Sequence, residues 1–239
     1  MLRIVLSFFG GVFTFLTMSV VAFALTIGAV FWIYGRDLPS HESLAQYKPP
    51  TISRIYSGEG RIVDEFARER RLFTGAKDVP LLIKQAFISA EDKNFYSHPG
   101  YDLRGILSAA VDAARSGGRR VRGASTITQQ VMKNFLLDGS RRAERKIKEI
   151  ILATRIENTL DKERILELYL NEIFLGQNSY GVTAAAQTYF NKTLDELAPH
   201  EAAFLASLPK APSDFHPVRR KQRLLDRRNY VLKEMWQNS

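Results

Sequence analysis

The sequence predicts a mainly α-helical domain with a small β-hairpin element, preceded by one transmembrane helix. Three observations carry this. No Asp, Glu, Lys or Arg stands between Arg3 and Arg36. From Val79 onward, apolar residues recur at the three-and-four spacing of buried helix faces nearly to the end. Two short β-prone runs, 51–56 and 61–66, flank the turn-forming Ser57-Gly58-Glu59-Gly60.

The uncharged stretch exceeds the roughly 20 residues that cross a bilayer. A cleavable signal peptide is the rival reading, because Ala22-Phe23-Ala24 resembles a cleavage site. Apolar sequence, however, continues through Trp32 and Tyr34, past a signal's apolar segment of about 7–15 residues. Residues 1–36 are therefore expected to be a retained anchor with Trp32 and Tyr34 at one interface. Arg3 on one side faces Arg36 and Lys48 on the other, so flanking charge does not set the orientation. Residues 37–50 read as a polar juxtamembrane linker, and 51–239 suffice for one domain.

The first helix of that domain carries Leu82, Ile83, Ala86, Phe87 and Ala90 on one face and is stopped before Pro99-Gly100. Thr126 and Gln129 have capping-box spacing and open a helix bearing Ile127, Val131 and Phe135. Residues 141–158 form the next, with Ile147, Ile150, Ile151 and Thr154 inward, and Phe135 to Ser140 before it reads as a mobile segment because of Asp138-Gly139-Ser140. A helix over 162–174 is expected to end with Gly176 as its C-cap. Residues 194–208 read as one helix, 209–217 as a Pro-rich connection, and a last helix carries Leu224, Val231, Leu232 and Met235.

The formal net charge of +9 points to an anionic partner: nucleic acid, anionic lipid head groups or a diphosphate. The anchor favours the last two. With no cysteine, disulfides and thiolate metal sites are excluded.

The run Glu91-Asp92-Lys93-Asn94-Phe95-Tyr96-Ser97-His98-Pro99-Gly100-Tyr101-Asp102 sets two adjacent carboxylates at a helix end. Carbonyl dipoles and shielding by Phe87 and Phe95 would raise the pKa of Glu91 and suit it to acid/base chemistry; two solvated acids are the plain alternative. In Gly123-Ala124-Ser125-Thr126-Ile127-Thr128-Gln129-Gln130-Val131-Met132-Lys133-Asn134, hydroxyls, amides and an ammonium suit a sugar diphosphate, with Gln129 and Lys133 one turn apart. A polar helix face with a hydroxyl cap would look the same. In Arg145-Lys146-Ile147-Lys148-Glu149, bases surround one acid, and Arg141, Arg145 and Glu149 follow at i,i+4. Arg before Glu is the weaker order for a helix, so a site for polyanionic oxygen competes with a surface ion-pair ladder. The apolar run at 162–171 reads as a core helix, 227–235 as a closing helix, and 117–123 as a basic loop.

In this order the five segments resemble the signature motifs of the peptidoglycan glycosyltransferase family, the lysozyme-like enzymes that polymerise lipid II. The resemblance covers about 50–235. Pro50-Thr51-Ile52-Ser53-Arg54-Ile55-Tyr56-Ser57 is similar to the opening of class A penicillin-binding proteins, of which the chain would be an amino-terminal portion. No Lys-Thr-Gly occurs, and no transpeptidase nucleophile is expected.

The resemblance implies that the 4-hydroxyl of an acceptor GlcNAc attacks the anomeric carbon of a donor MurNAc, with inversion and release of undecaprenyl diphosphate. Glu91 would be the catalytic acid/base and Glu149 the second acid. Lys133 and Arg141 would hold the diphosphate, assisted by Arg145 and Lys148. Asp92, Ser125, Gln129, Gln130 and Asn134 would bind substrate. The chemistry requires no cofactor and is compatible with a divalent metal, Mg or Mn, at the diphosphate. Expected partners are lipid II, the growing glycan strand, membrane lipids and other cell-wall synthesis proteins, not nucleic acid. The expected location is the bacterial cytoplasmic membrane, single-pass, with the domain on the extracytoplasmic side. A membrane-bound glycoside hydrolase and a non-catalytic basic anchor are the alternatives.

Overall fold

The structure is a computed structural model that describes residues 2–36, 38, 44, 47, 53–66, 70–117, 123–137, 142–212, 214–215 and 217–238. Arg141, residues 118–122 of the expected basic loop and 138–140 of the expected mobile segment lie outside the described residues, as does most of the 37–50 linker, whereas Phe135 and Leu136 of that segment end the helix Ile127–Leu136. The apolar amino terminus forms one helix, α1 (Leu2–Gly35), in which Ser7–Gly35 is long and apolar enough to cross a membrane. Arg155 Nη2 donates to Gly35 O at 3.0 Å, and the Arg36 guanidinium stacks 4.0 Å from the Trp32 ring centroid. The described linker residues pack on the domain: Leu44 is buried, and Tyr47 donates to Glu172 Oε1 at 2.6 Å.

Strands β1 (Ser53–Tyr56) and β2 (Ile62–Phe66) form the predicted antiparallel hairpin, with Ser53 opposite Phe66. Gly60, at φ +78°, donates to Ser57 O and closes the turn. A second pairing, β3 (Arg70–Arg71) parallel to β4 (Ser179–Tyr180), was not foreseen, because two residues are too few to show a pattern.

The rest is helical: α2 (Leu81–Glu91), α3 (Leu103–Arg115), α4 (Ile127–Leu136), α5 (Arg142–Glu157), α6 (Lys162–Glu172), α7 (Val182–Phe190), α8 (Pro199–Leu205) and α9 (Lys221–Gln237). Helix α4 packs on α5 and α6, while α2 and α8 pack on α9. Ile83, Phe87, Phe95, Ile127, Leu152, Ile156 and Tyr169 are fully buried between them.

Several expectations are corrected. Helix α5 buries Glu149, Ile151, Leu152, Ala153 and Ile156, leaving Ile147, Ile150 and Thr154 half-buried. Helix α6 stops at Glu172, with an extended Ile173 as C-cap, and Gly176 (φ +84°) instead serves the following tight turn, where Ser179 N donates to its carbonyl. Asn171 is the physical reason: its side chain bonds both the N–H and the carbonyl of Thr74, and Gly181, the N-cap of α7, crosses so close that a Cβ would lie 2.6 Å from Asn171 O. Residues 194–208 are not one helix. Pro199 at the first helical position forces Ala198 into extended backbone, dividing a 3₁₀ turn (Leu194–Glu196) from α8. Helices α3 and α7 were not delimited from periodicity.

Helix α3 is amphipathic in an unusual sense. Leu103, Ile106, Leu107 and Val111 form an exposed stripe, while Arg104, Ser108, Asp112 and Arg115 on the adjoining face line a groove.

Candidate active site

The groove has a volume of about 1430 Å³ and runs between α3 on one wall and α9 on the other. Its floor is the end of α2 and the start of α4, including Glu91, Asp92, Ser125, Thr126 and Gln130.

Helix α2 ends at Glu91 because Asp92 leaves helical backbone (φ −158°, ψ 71°) and turns its carboxylate into the protein. His98 Nε2 lies 2.9 Å from Asp92 Oδ2, which also accepts from Ile127 N at 2.9 Å. Gly100 N donates to His98 Nδ1 at 3.1 Å, so the imidazole proton sits on Nε2 and points at Asp92. Gly100 holds φ +93°, and a Cβ there would meet Ala153 O at 2.6 Å. Lys162 Nζ secures the same loop, donating to His98 O (2.7 Å) and to Glu157 Oε1 (2.6 Å), which in turn accepts from Thr128 Oγ1 (2.6 Å). Asp102 caps α3 by accepting from Gly105 N at 3.0 Å and also accepts from Asn94 Nδ2. Desolvation, the largest single influence, pushes its carboxyl pKa up, but the hydrogen bonds from Gly105 and Asn94 with the other local contacts together outweigh it and hold the group below its ordinary value.

Glu91 is gripped at both oxygens. Gln130 Nε2 donates to Oε2 at 3.0 Å, and Arg227 Nη2 stands 3.5 Å from Oε1. Burial pushes the Glu91 pKa up; the Gln130 hydrogen bond and the charges of Arg227 and Lys210 pull it back, and Asp92 adds to the rise. A carboxylate so placed is a better base than a solvated one.

Beside the floor, Thr126 Oγ1 accepts from Gln129 N at 3.2 Å and donates to Gly100 O at 2.8 Å. The reciprocal half of the capping box is not made, because Lys146 captures the Gln129 side chain. Its Nζ donates to Gln129 Oε1 (2.8 Å), Ser125 Oγ (2.8 Å) and Glu149 Oε2 (3.0 Å). Arg145 Nε approaches Glu149 Oε1 at 3.4 Å. Lys148 turns away to Glu144 at 2.7 Å, the favourable Glu-before-Lys i,i+4 order.

Of the predicted site residues, Glu91, Asp92, Ser125, Gln130 and Lys133 come together on the groove. Gln129 and Glu149 are buried behind it, while Lys133, one turn on from Gln129, is exposed. Asn134 is exposed, and neither it nor Arg145 nor Lys148 is on the lining. Lys146, Lys210, Arg227 and Tyr230 were missed as site residues. Lys146 was legible as the second cation of the Arg145 motif; Arg227 and Lys210 reach Glu91 only through folding. One Ser-x-x-Lys spacing occurs, Ser207-Leu208-Pro209-Lys210, but Ser207 is fully buried and donates to Ala203 O at 2.7 Å, so it is not a nucleophile. Among the described residues no cluster of three metal-ligating side chains occurs.

Residues 59–236 match the family model described as Transglycosylase. Penicillin-binding protein 1A of Rickettsia prowazekii is 47% identical over 231 residues, covering 94% of this chain and 29% of the relative. That of Neisseria meningitidis serogroup B is 44% identical over 233 residues, 98% of this chain and again 29% of the relative. The crystal structure of Penicillin-Binding Protein 1A from Haemophilus influenzae aligns with TM-score 0.43 and 31% identity, over 79% of this chain and 18% of that one. The chain thus spans 29% of the length of these Rickettsia and Neisseria relatives.

Proposed function

The chain belongs to the transglycosylase family, and from that premise we propose that it is a membrane-anchored peptidoglycan glycosyltransferase that polymerises lipid II into β-1,4-linked glycan. The observation that carries the reading is Glu91: a carboxylate with raised pKa, oriented from both sides, on the floor of a groove that also presents Lys133.

In the proposed reaction, Glu91 takes the proton from the 4-hydroxyl of the acceptor GlcNAc as that oxygen bonds to the donor MurNAc anomeric carbon. The anomeric C–O bond breaks on the opposite side, and its electron pair leaves with undecaprenyl diphosphate, so the centre inverts. The leaving group needs charge neutralisation rather than a proton. Lys133 on the groove would supply it, aided by Lys146, which reaches Ser125 there, and by Arg141 and Arg145, which precede Lys146 in the sequence. Gln130, Ser125 and the groove face of Asp92 would orient the sugars, with Gln129 and Glu149 holding Lys146. A divalent ion would enter with the diphosphate. The exposed apolar stripe of α3, on the face adjoining the groove, and α1 support a substrate drawn from the bilayer by a single-pass protein, whose domain we place on the extracytoplasmic side by its family alone.

The test is incubation of the purified chain with lipid II and separation of products by length. Polymer from wild type and none from Glu91→Gln is expected. Polymer from Glu91→Gln at the wild-type rate, or release of sugars from finished glycan instead, would refute the reading.

A further inference from the structure

Arg227 differs from Lys133 and Lys146 in touching the acid itself. Its Nη2 donates to Ala90 O at 3.2 Å as well as approaching Glu91 Oε1, its guanidinium lies 4.9 Å from the Tyr230 ring centroid, and its Nε is buried with no partner among the described residues. The side chain is only 14% exposed. A buried guanidinium with an unpaired donor is costly, and an apolar side chain of similar length would pack α9 on α2 at less cost. Stability therefore does not account for it.

The contact geometry points elsewhere. A bidentate fork on Glu91 would hold a permanent anion with little basicity. Here one long contact grips Oε1 from α9 while Gln130 grips Oε2 from α4, and Oε1 keeps the more available lone pair. The titratable groups acting with Glu91 are Arg227, Lys210, the neighbouring Asp92 and the Tyr169 hydroxyl beneath.

We propose that Arg227 is a positioning residue that fixes the tilt of the Glu91 carboxylate and favours its anionic form without quenching its basicity. This rests on Glu91 being the general base. Burial alone would leave Glu91 protonated over more of the working range, and the Arg227 and Lys210 charges offset it.

The experiment is the pH dependence of kcat/KM for lipid II polymerisation by the full chain in detergent, for wild type, Arg227→Met, Arg227→Gln, Arg227→Lys and Lys210→Met, with melting curves alongside. Arg227→Met should move the acidic limb upward by about one unit, a roughly tenfold loss on that limb that narrows at alkaline pH. Arg227→Lys should restore the limb while lowering kcat, because the shorter, freely rotating ammonium lacks the planar group that lies against Tyr230 and holds Nη2 at Ala90 O and Glu91 Oε1. If Arg227→Met does not fold, Arg227→Gln carries the same expectation. A loss equal at all pH values, or a limb that Lys210→Met moves as far, would overturn the proposal. Glu91→Gln separates the two ideas: if it polymerises normally the general-base reading fails, and if it is dead while the Arg227 limb is unmoved only the positioning role fails.

Discussion

One buried oxygen of Asp92 binds His98 Nε2 and the backbone N–H of Ile127, each at 2.9 Å, and so joins the end of α2, the following loop and the first turn of α4. Because α4 also carries Gln130 and Lys133, the clamp sets their positions relative to Glu91. His98→Ala should lower stability by roughly 1.5–3 kcal/mol, the range for a hydrogen bond to a charged group, and slow polymerisation as well. Denaturant unfolding that matches wild type would remove the clamp.

Glu91 should destabilise the fold at neutral pH. Its folded pKa lies above the ordinary 4.5, chiefly through burial. The stability it contributes is therefore complete below that ordinary value and is lost as pH rises through the raised one. Glu91→Gln is expected to melt roughly 2–4 °C above wild type at pH 7, with the difference closing near pH 4. Identical melting at both pH values would contradict this.

Lys146 and Lys133 should behave oppositely. Lys146→Met strips three acceptors, among them the buried Glu149, and should cost about 1–3 kcal/mol. Lys133 is exposed, so Lys133→Ala should change stability by less than about 0.5 kcal/mol yet raise the lipid II concentration needed for half-maximal rate. Unchanged kinetics would take Lys133 out of the diphosphate site.

Gly100→Ala meets both a left-handed φ and the carbonyl of Ala153. A loss of at least about 2–3 kcal/mol is expected. A variant as stable as wild type would mean that the loop can move off α5.

The α3 stripe can be tested without touching the groove. Leu103→Ser, Leu107→Ser and Val111→Ser together should leave the melting temperature nearly unchanged, since these side chains are exposed, but slow turnover of lipid II in vesicles more than in detergent. Equal slowing in both would make the stripe a structural feature.

Features that depend on neighbours within one or two turns were legible beforehand: the long uncharged helix, the hairpin at 57–60, the end of α2 at Glu91 and the Thr126 cap. Their causes, apolar periodicity, turn residues and side-chain capping, are local. The sequence by itself thus determined that an acid stands at a helix end next to an amide-rich helix start and a cationic helix. The tertiary structure decided which of those groups face the acid. It turned Asp92 inward to His98, put Gln129 and Glu149 behind Lys146, and brought Arg227 and Lys210 to Glu91 from more than a hundred residues away. Such meetings follow from how α2, α4 and α9 pack against one another, and packing is set by the summed burial of the whole core rather than by the spacing of any one motif.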